Sequence, residues 1–162
     1  MTRFKDLLTP SQRSTPKDEQ KRASAGLADA VSASNLRRWE GRGVLPVQGK
    51  CLVLAVAPYS QYDLTLLDVL DESLASGQAA FPVYVVNLLD YDTVEQVRAD
   101  FPGIAQANQT PLAALWESGS PTRTAWGKHA RDVVAEALGL APEDLSRRVV
   151  AESPSYANRL AP

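Results

Sequence analysis

The stretch Cys51-Leu-Val-Leu-Ala-Val-Ala57 is apolar at every position and is followed at once by Pro58-Tyr-Ser-Gln-Tyr-Asp63. An unbroken apolar run of this length suits a strand buried on both faces, not an alternating surface strand. Such a strand needs a layer on each side, which points to an α/β domain. The next segment, Leu64-Thr-Leu-Leu-Asp-Val-Leu70, reads as a helix entered directly from the turn. A strand that runs into a helix N-terminus is where α/β folds place chemistry. Free backbone N–H groups and the positive end of the helix dipole lie there.

With 162 residues, 44% of them apolar, the chain can bury one full core and carry extensions. No run approaches the ~20 apolar residues of a membrane span. The segment Met1-Thr-Arg-Phe-Lys-Asp-Leu-Leu8 is too short and too charged for a signal-peptide core, so a cytoplasmic location is expected. The single cysteine, Cys51, excludes an intramolecular disulfide and agrees with a reducing compartment. One cysteine and one histidine cannot form a Cys/His metal site, and no cofactor is expected.

The net charge of −2 hides an asymmetry. Residues 1–50 hold ten Lys/Arg against five Asp/Glu, a balance of +5, whereas residues 51–100 hold only Arg98 against eight acids, a balance of −7. The basic arm is expected either to lie solvated or against the acidic half, or to dock on an acidic partner. Nucleic acid is a weak option, because the whole chain is acidic and its basic residues are not interleaved with aromatics.

Taken in order, Thr15-Pro16 followed by Lys17-Asp18-Glu19 is a helix start, with a Thr cap, Pro at the first position and acids in the first turn. Ala28, Val31, Asn35 and Trp39 continue it at helical spacing until Gly41-Arg42-Gly43. Val44–Val47 reads as a short edge strand because Pro46 bars a central one. After the strand at 51–57, a helix over 62–76 carries Leu66, Leu67, Leu70 and Leu74 on its apolar face and ends at Gly77. A second strong strand covers Phe81–Asn87. A short helix follows at 92–98, capped by Asp92 with Val94 and Val97 inward. Leu112–Trp116 and Thr122–Trp126 are strands joined by a turn at Ser118-Gly119-Ser120-Pro121. Lys128–Leu138 is a helix closed by Gly139, and another helix runs from Pro142 to about Val150. The first two strong strands must be parallel, joined by a helical crossover, and the last two antiparallel. This divides the chain into a basic arm with one helix (1–43), a central α/β domain (44–140) and a C-terminal helix with a tail (141–162).

From about Val44 to Leu138 this order and its punctuation resemble thioredoxin. Val53-Leu-Ala-Val-Ala57-Pro-Tyr-Ser60-Gln-Tyr-Asp63 looks like the family's strand leading into Trp-Cys-Gly-Pro-Cys. Thr110-Pro111 before an apolar strand resembles the Ile-Pro-Thr stretch, whose proline is cis. Leu115-Trp116-Glu-Ser-Gly119 matches the strand and hairpin glycine, and Trp126-Gly127 the glycine before the final helix. The resemblance implies a thioredoxin-like three-layer sandwich: a mixed central sheet of four to five strands flanked by helices, with an N-terminal helical arm and a C-terminal helix.

The departures bear on function. Ser60 falls where the family has its nucleophilic cysteine, Asp63 where it has the resolving one, and Leu54 where it has a buried carboxylate that helps proton transfer. Disulfide exchange needs a thiolate and a second thiol, and a Ser hydroxyl can supply neither. Asp63 is expected simply to favour the first turn of its helix, and Cys51 to be a small core residue. What the resemblance leaves is binding. It implies a groove for an extended protein segment, with guest backbone pairing beside Thr110 and a surface made of Tyr59, Ser60, Gln61, Tyr62, Asp63, Thr110 and Pro111. Tyr59 and Tyr62 suit an interface or else merely cover the loop. The expectation is a non-catalytic protein-binding module with a protein partner: an adaptor, an assembly chaperone or an accessory subunit. Two alternatives stay open. One is an enzyme using the Ser60/Asp63 turn or His129, although no Gly-x-Ser-x-Gly elbow is present. The other is a binder of anionic surfaces through Arg13, Lys17, Lys21, Arg22, Arg37, Arg38 and Arg42.

Overall fold

The structure is a computed structural model that describes residues 4, 7, 16–41, 49–58, 60–79, 81–102 and 110–152. Among these residues five strands, β1 (Arg37–Arg38), β2 (Cys51–Val56), β3 (Val83–Asn87), β4 (Leu112–Glu117) and β5 (Ser120–Trp126), form one mixed sheet in the order β1-β3-β2-β4-β5. β3 runs parallel to both β1 and β2, and β4 is antiparallel to β2 and to β5. Among the described residues five α-helices accompany it: α1 (Pro16–Ser32), α2 (Gln61–Ala75), α3 (Val94–Asp100), α4 (Ala130–Leu138) and α5 (Pro142–Glu152).

β2 lies at the centre and all six of its residues are buried. Its side chains alternate between two cores, as the two-residue period of a strand requires. Leu52, Leu54 and Val56 meet Leu27 and Val31 of α1 together with the apolar faces of α2, α4 and α5. Cys51, Val53 and Ala55 share the opposite face with Trp39, Phe101 and Trp116, against which Val97 of α3 packs. Trp39 and Trp116 meet edge to face at 5.7 Å, the arrangement their ring quadrupoles favour. The result is a layered α/β domain with apolar layers on both sides of a mixed sheet.

α2 is buried along Asp63–Leu70 and again at Ser73. A helix apolar all round needs cover all round. The sheet covers one side, α5 packs on another with Leu145 and Val149 one turn apart, and Phe4 is also buried in this core. The backbone N–H of Phe4 donates to Oδ1 of Asp68 at 2.8 Å, which ties Phe4 to α2.

Several elements depart from the sequence reading. α1 stops at Ser32 instead of running to Trp39. Two polar side chains capture the backbone there. Ser34 Oγ accepts from Leu36 N–H at 3.0 Å, and Asp71 Oδ1 accepts from both the Asn35 N–H and its amide at 2.8 and 3.0 Å. Such local capture competes with helical bonds. It turns the chain so that Arg37–Arg38 join the sheet edge and Trp39 crosses to the other face. The edge strand among the described residues is therefore β1; the expected strand at 44–47 lies outside them. α3 is capped by Thr93, not Asp92, through a capping box with Gln96. Val94 consequently sits on the outer side at 59% exposure, and only Val97 packs inward. The hairpin turn is confined to Ser118-Gly119, with Ser120 and Pro121 already in β5. The basic arm is not separate from the domain over its described part, since α1 and β1 pack on the same sheet.

Candidate functional site

Parallel pairing of Val56 with Asn87 and antiparallel pairing of Ala55 with Leu112 bring four chain ends together. The ends of β2 and β3, the start of β4 and the end of β5 share one margin of the domain. This is where an open α/β sheet presents its loops to ligands. The Thr110–Pro111 peptide bond is cis, and the Pro111 carbonyl accepts from Gly127 N–H at 3.0 Å.

Ser60 starts α2 with an extended backbone and acts as its N-cap. Its Oγ accepts from Asp63 N–H at 3.3 Å, while its own N–H donates to the Ala57 carbonyl at 3.0 Å. Ser60, Gln61 and Tyr62 are half-buried, and the Tyr62 ring packs against the α2-side core, in keeping with a covering role. Thr110 is half-buried and Pro111 buried beside them. Tyr59 lies outside the described residues.

Asp63 departs most from expectation. It stands on the first helical turn, where a negative charge favours the helix, but it is 0% exposed. Helical spacing explains this. Asp63 shares its face with Leu66, Leu67 and Leu70, so the geometry that buries the leucines buries the carboxyl as well. Oδ2 accepts from Ala57 N–H at 2.9 Å. Oδ1 is buried with no hydrogen-bond partner among the described residues. Burial pushes the carboxyl up to about 6, against the Ala57 N–H and the nearby Thr110 and Ser60 hydroxyls, which favour the charged form. Neither hydroxyl reaches Oδ1 in good hydrogen-bonding geometry. The signal for this group was present in the sequence as the spacing of Asp63 to Leu67, Leu70 and Leu74; its charge argued the other way.

The remaining candidates lie elsewhere. Cys51 is fully buried at the opposite end of β2, paired in register with Trp116, and burial raises its thiol pKa. Leu54 is buried mid-strand. His129 is exposed just before α4, with Nδ1 4.0 Å from Oδ2 of Asp132 in the first turn of that helix. Of the basic arm, Lys21, Arg22 and Arg37 face solvent, and Arg38 stands 3.8 Å from Asp90. Arg13 and Arg42 lie outside the described residues, as does the Lys17 side chain. Among the described residues no group of three His, Cys, Asp or Glu side chains is placed to hold a metal. No described helix is long and apolar enough to cross a membrane.

The turn therefore offers one carboxyl able to exchange a proton near neutrality, two hydroxyls and a helix N-terminus, without a thiol or an imidazole. No protein-family model matches the chain, and a search of curated proteins returns no significant match.

Proposed function

We propose that this chain is a thioredoxin-like module that binds protein segments and carries out no disulfide exchange. The observation behind it is the arrangement at the end of β2. A Ser-capped α2 start stands beside Thr110-Pro111, where the family presents a redox turn and its neighbouring loop, and Ser60 and Asp63 replace both thiols. The parallel β2–β3 crossover and the β4–β5 hairpin support the resemblance. An adaptor, assembly chaperone or accessory subunit of the cytoplasm fits such a module. The guest would lie across Tyr59–Asp63 and pair with the backbone beside Thr110. Packing of α1 and β1 on their own sheet shifts the weight of this reading from the N-terminal arm to the turn.

The test is photo-crosslinking in the native host, with a photoreactive residue replacing Gln61. A single stoichiometric adduct supports the reading. Recovery of the protein alone as a monomer, with no adduct, overturns it.

A second reading has one observation in its favour: the Asp63 carboxyl, pushed up to about 6, stands beside the Ser60 hydroxyl and is placed in the range of a general base. On that reading Ser60→Ala abolishes turnover of a small-molecule ester while leaving the protein folded.

A further inference from the structure

We infer that Asp63 is a proton-operated latch on the β2–α2 turn: the turn closes on the neutral carboxyl and loosens when the proton leaves for bulk water. This inference does not depend on what the turn binds.

Three parts of the chain converge on this one side chain. Oδ2 takes the Ala57 N–H at 2.9 Å and so ties the end of β2 to the first turn of α2. The Asp63 N–H in turn holds the Ser60 cap at 3.3 Å. Thr110, from the loop before β4, lies near enough to the same carboxyl for its hydroxyl to favour the charged form. Oδ1 is sealed from solvent without a donor among the described residues. A neutral acid tolerates that position better than an anion, because it brings no net charge into the core to be solvated. An anion there lacks solvation on one side and gains by admitting water.

Among the described residues, no charged group in the surrounding elements substitutes for that water. Between Ala57 and Tyr62 the only ionisable side chains are Tyr59 and Tyr62, and residues 101–111 contain none. At the β5–α4 junction, Lys128 and His129 are both exposed. Along α2 the next ionisable group is Asp68, which is bonded to the Phe4 N–H.

The direction follows from the two states. In the loosened turn the carboxyl is hydrated and titrates near its ordinary value, whereas closed it holds its proton up to about 6. Acidification through that window therefore favours the closed turn. Opening rises by up to tenfold per pH unit between about 4 and 6, and levels off above.

The experiment is NMR on the full chain. The Asp63 side-chain carbon reports the titration directly. Amide hydrogen exchange at Ala57, Asp63 and Leu64, corrected for intrinsic rates, reports the turn. Protection at these amides should increase about tenfold from pH 7.5 to pH 5, and in Asp63→Asn it should stay flat. An Asp63 carbon that titrates at or below about pH 4 overturns the inference, and that measurement stands even if Asp63→Asn does not fold. An equal pH dependence of the turn amides in wild type and Asp63→Asn also overturns it.

Discussion

The carboxyl of Asp63 reaches back across the turn and takes the backbone N–H of Ala57 at 2.9 Å, so that the last residue before the turn and the first turn of α2 are held by one side chain. The other oxygen of that carboxyl has no donor among the described residues. A site residue that is buried, ionisable and half-satisfied is poor for stability, and such residues concentrate where a protein does its work.

Asp63→Asn tests what this residue does to stability. With the folded carboxyl near 6 and an ordinary value of 3.8, the folded state binds more protons than the unfolded one between these values. The contribution of Asp63 is thus most favourable at low pH and is lost as pH rises through 6, a difference of about 3 kcal/mol at full extent. Asn keeps an acceptor for Ala57 and carries no charge. Urea unfolding should show the variant about 1–2 kcal/mol more stable than wild type at pH 8, with the gap closing toward pH 4.5. A variant less stable at every pH would refute this.

Ser60→Ala removes the N-cap of α2. Because the cap bond is long, at 3.3 Å, the expected loss is at the lower end of the usual range, about 0.5–1 kcal/mol, seen as a lower urea midpoint with an unchanged slope.

Leu145→Ala asks whether α5 belongs to the domain. Leu145 is fully buried in the core that covers α2. Truncating it should cost about 2–5 kcal/mol, with one cooperative transition retained. A loss below about 0.5 kcal/mol, the size of a surface substitution, would return α5 to the status of an appendage.

Gly41→Ala meets two obstacles together. The residue has φ +74°, and a Cβ there would lie 2.8 Å from the Tyr91 hydroxyl and 2.9 Å from Asp100 Oδ2, which are themselves bonded at 2.6 Å. Destabilisation of more than about 1 kcal/mol is expected from backbone strain alone, and thermal melting would register it.

The parts of this fold that were legible in the sequence are those written in local pattern. β2 and β3 are unbroken apolar runs, the β4–β5 hairpin is marked by Ser118-Gly119, and α4 ends at Gly139 in the left-handed region. What escaped depends on side chains distant in sequence. The end of α1 is decided partly by Asp71, which takes the Asn35 N–H from 36 residues away. β1 consists of two arginines with no apolar signal, and only pairing with β3 makes it a strand. The site divides in the same way. Its location at the end of β2 could be read from the strand and the turn. The burial of Asp63 was encoded in its spacing to the leucines, but the state of its two oxygens depends on Ala57 and on a loop that only folding brings near.

The two outer strands also bear on how copies of this chain meet at high concentration. An exposed strand margin is a template for stacking sheets into fibrils, and short, charged or proline-bearing margins suppress it. Here one margin among the described residues is two arginines long, and the other carries Pro121, which has no N–H to offer, and the cationic Arg123. Growth of the sheet by like pairing with like is disfavoured at both described margins, which favours solutions that stay clear as the protein is concentrated.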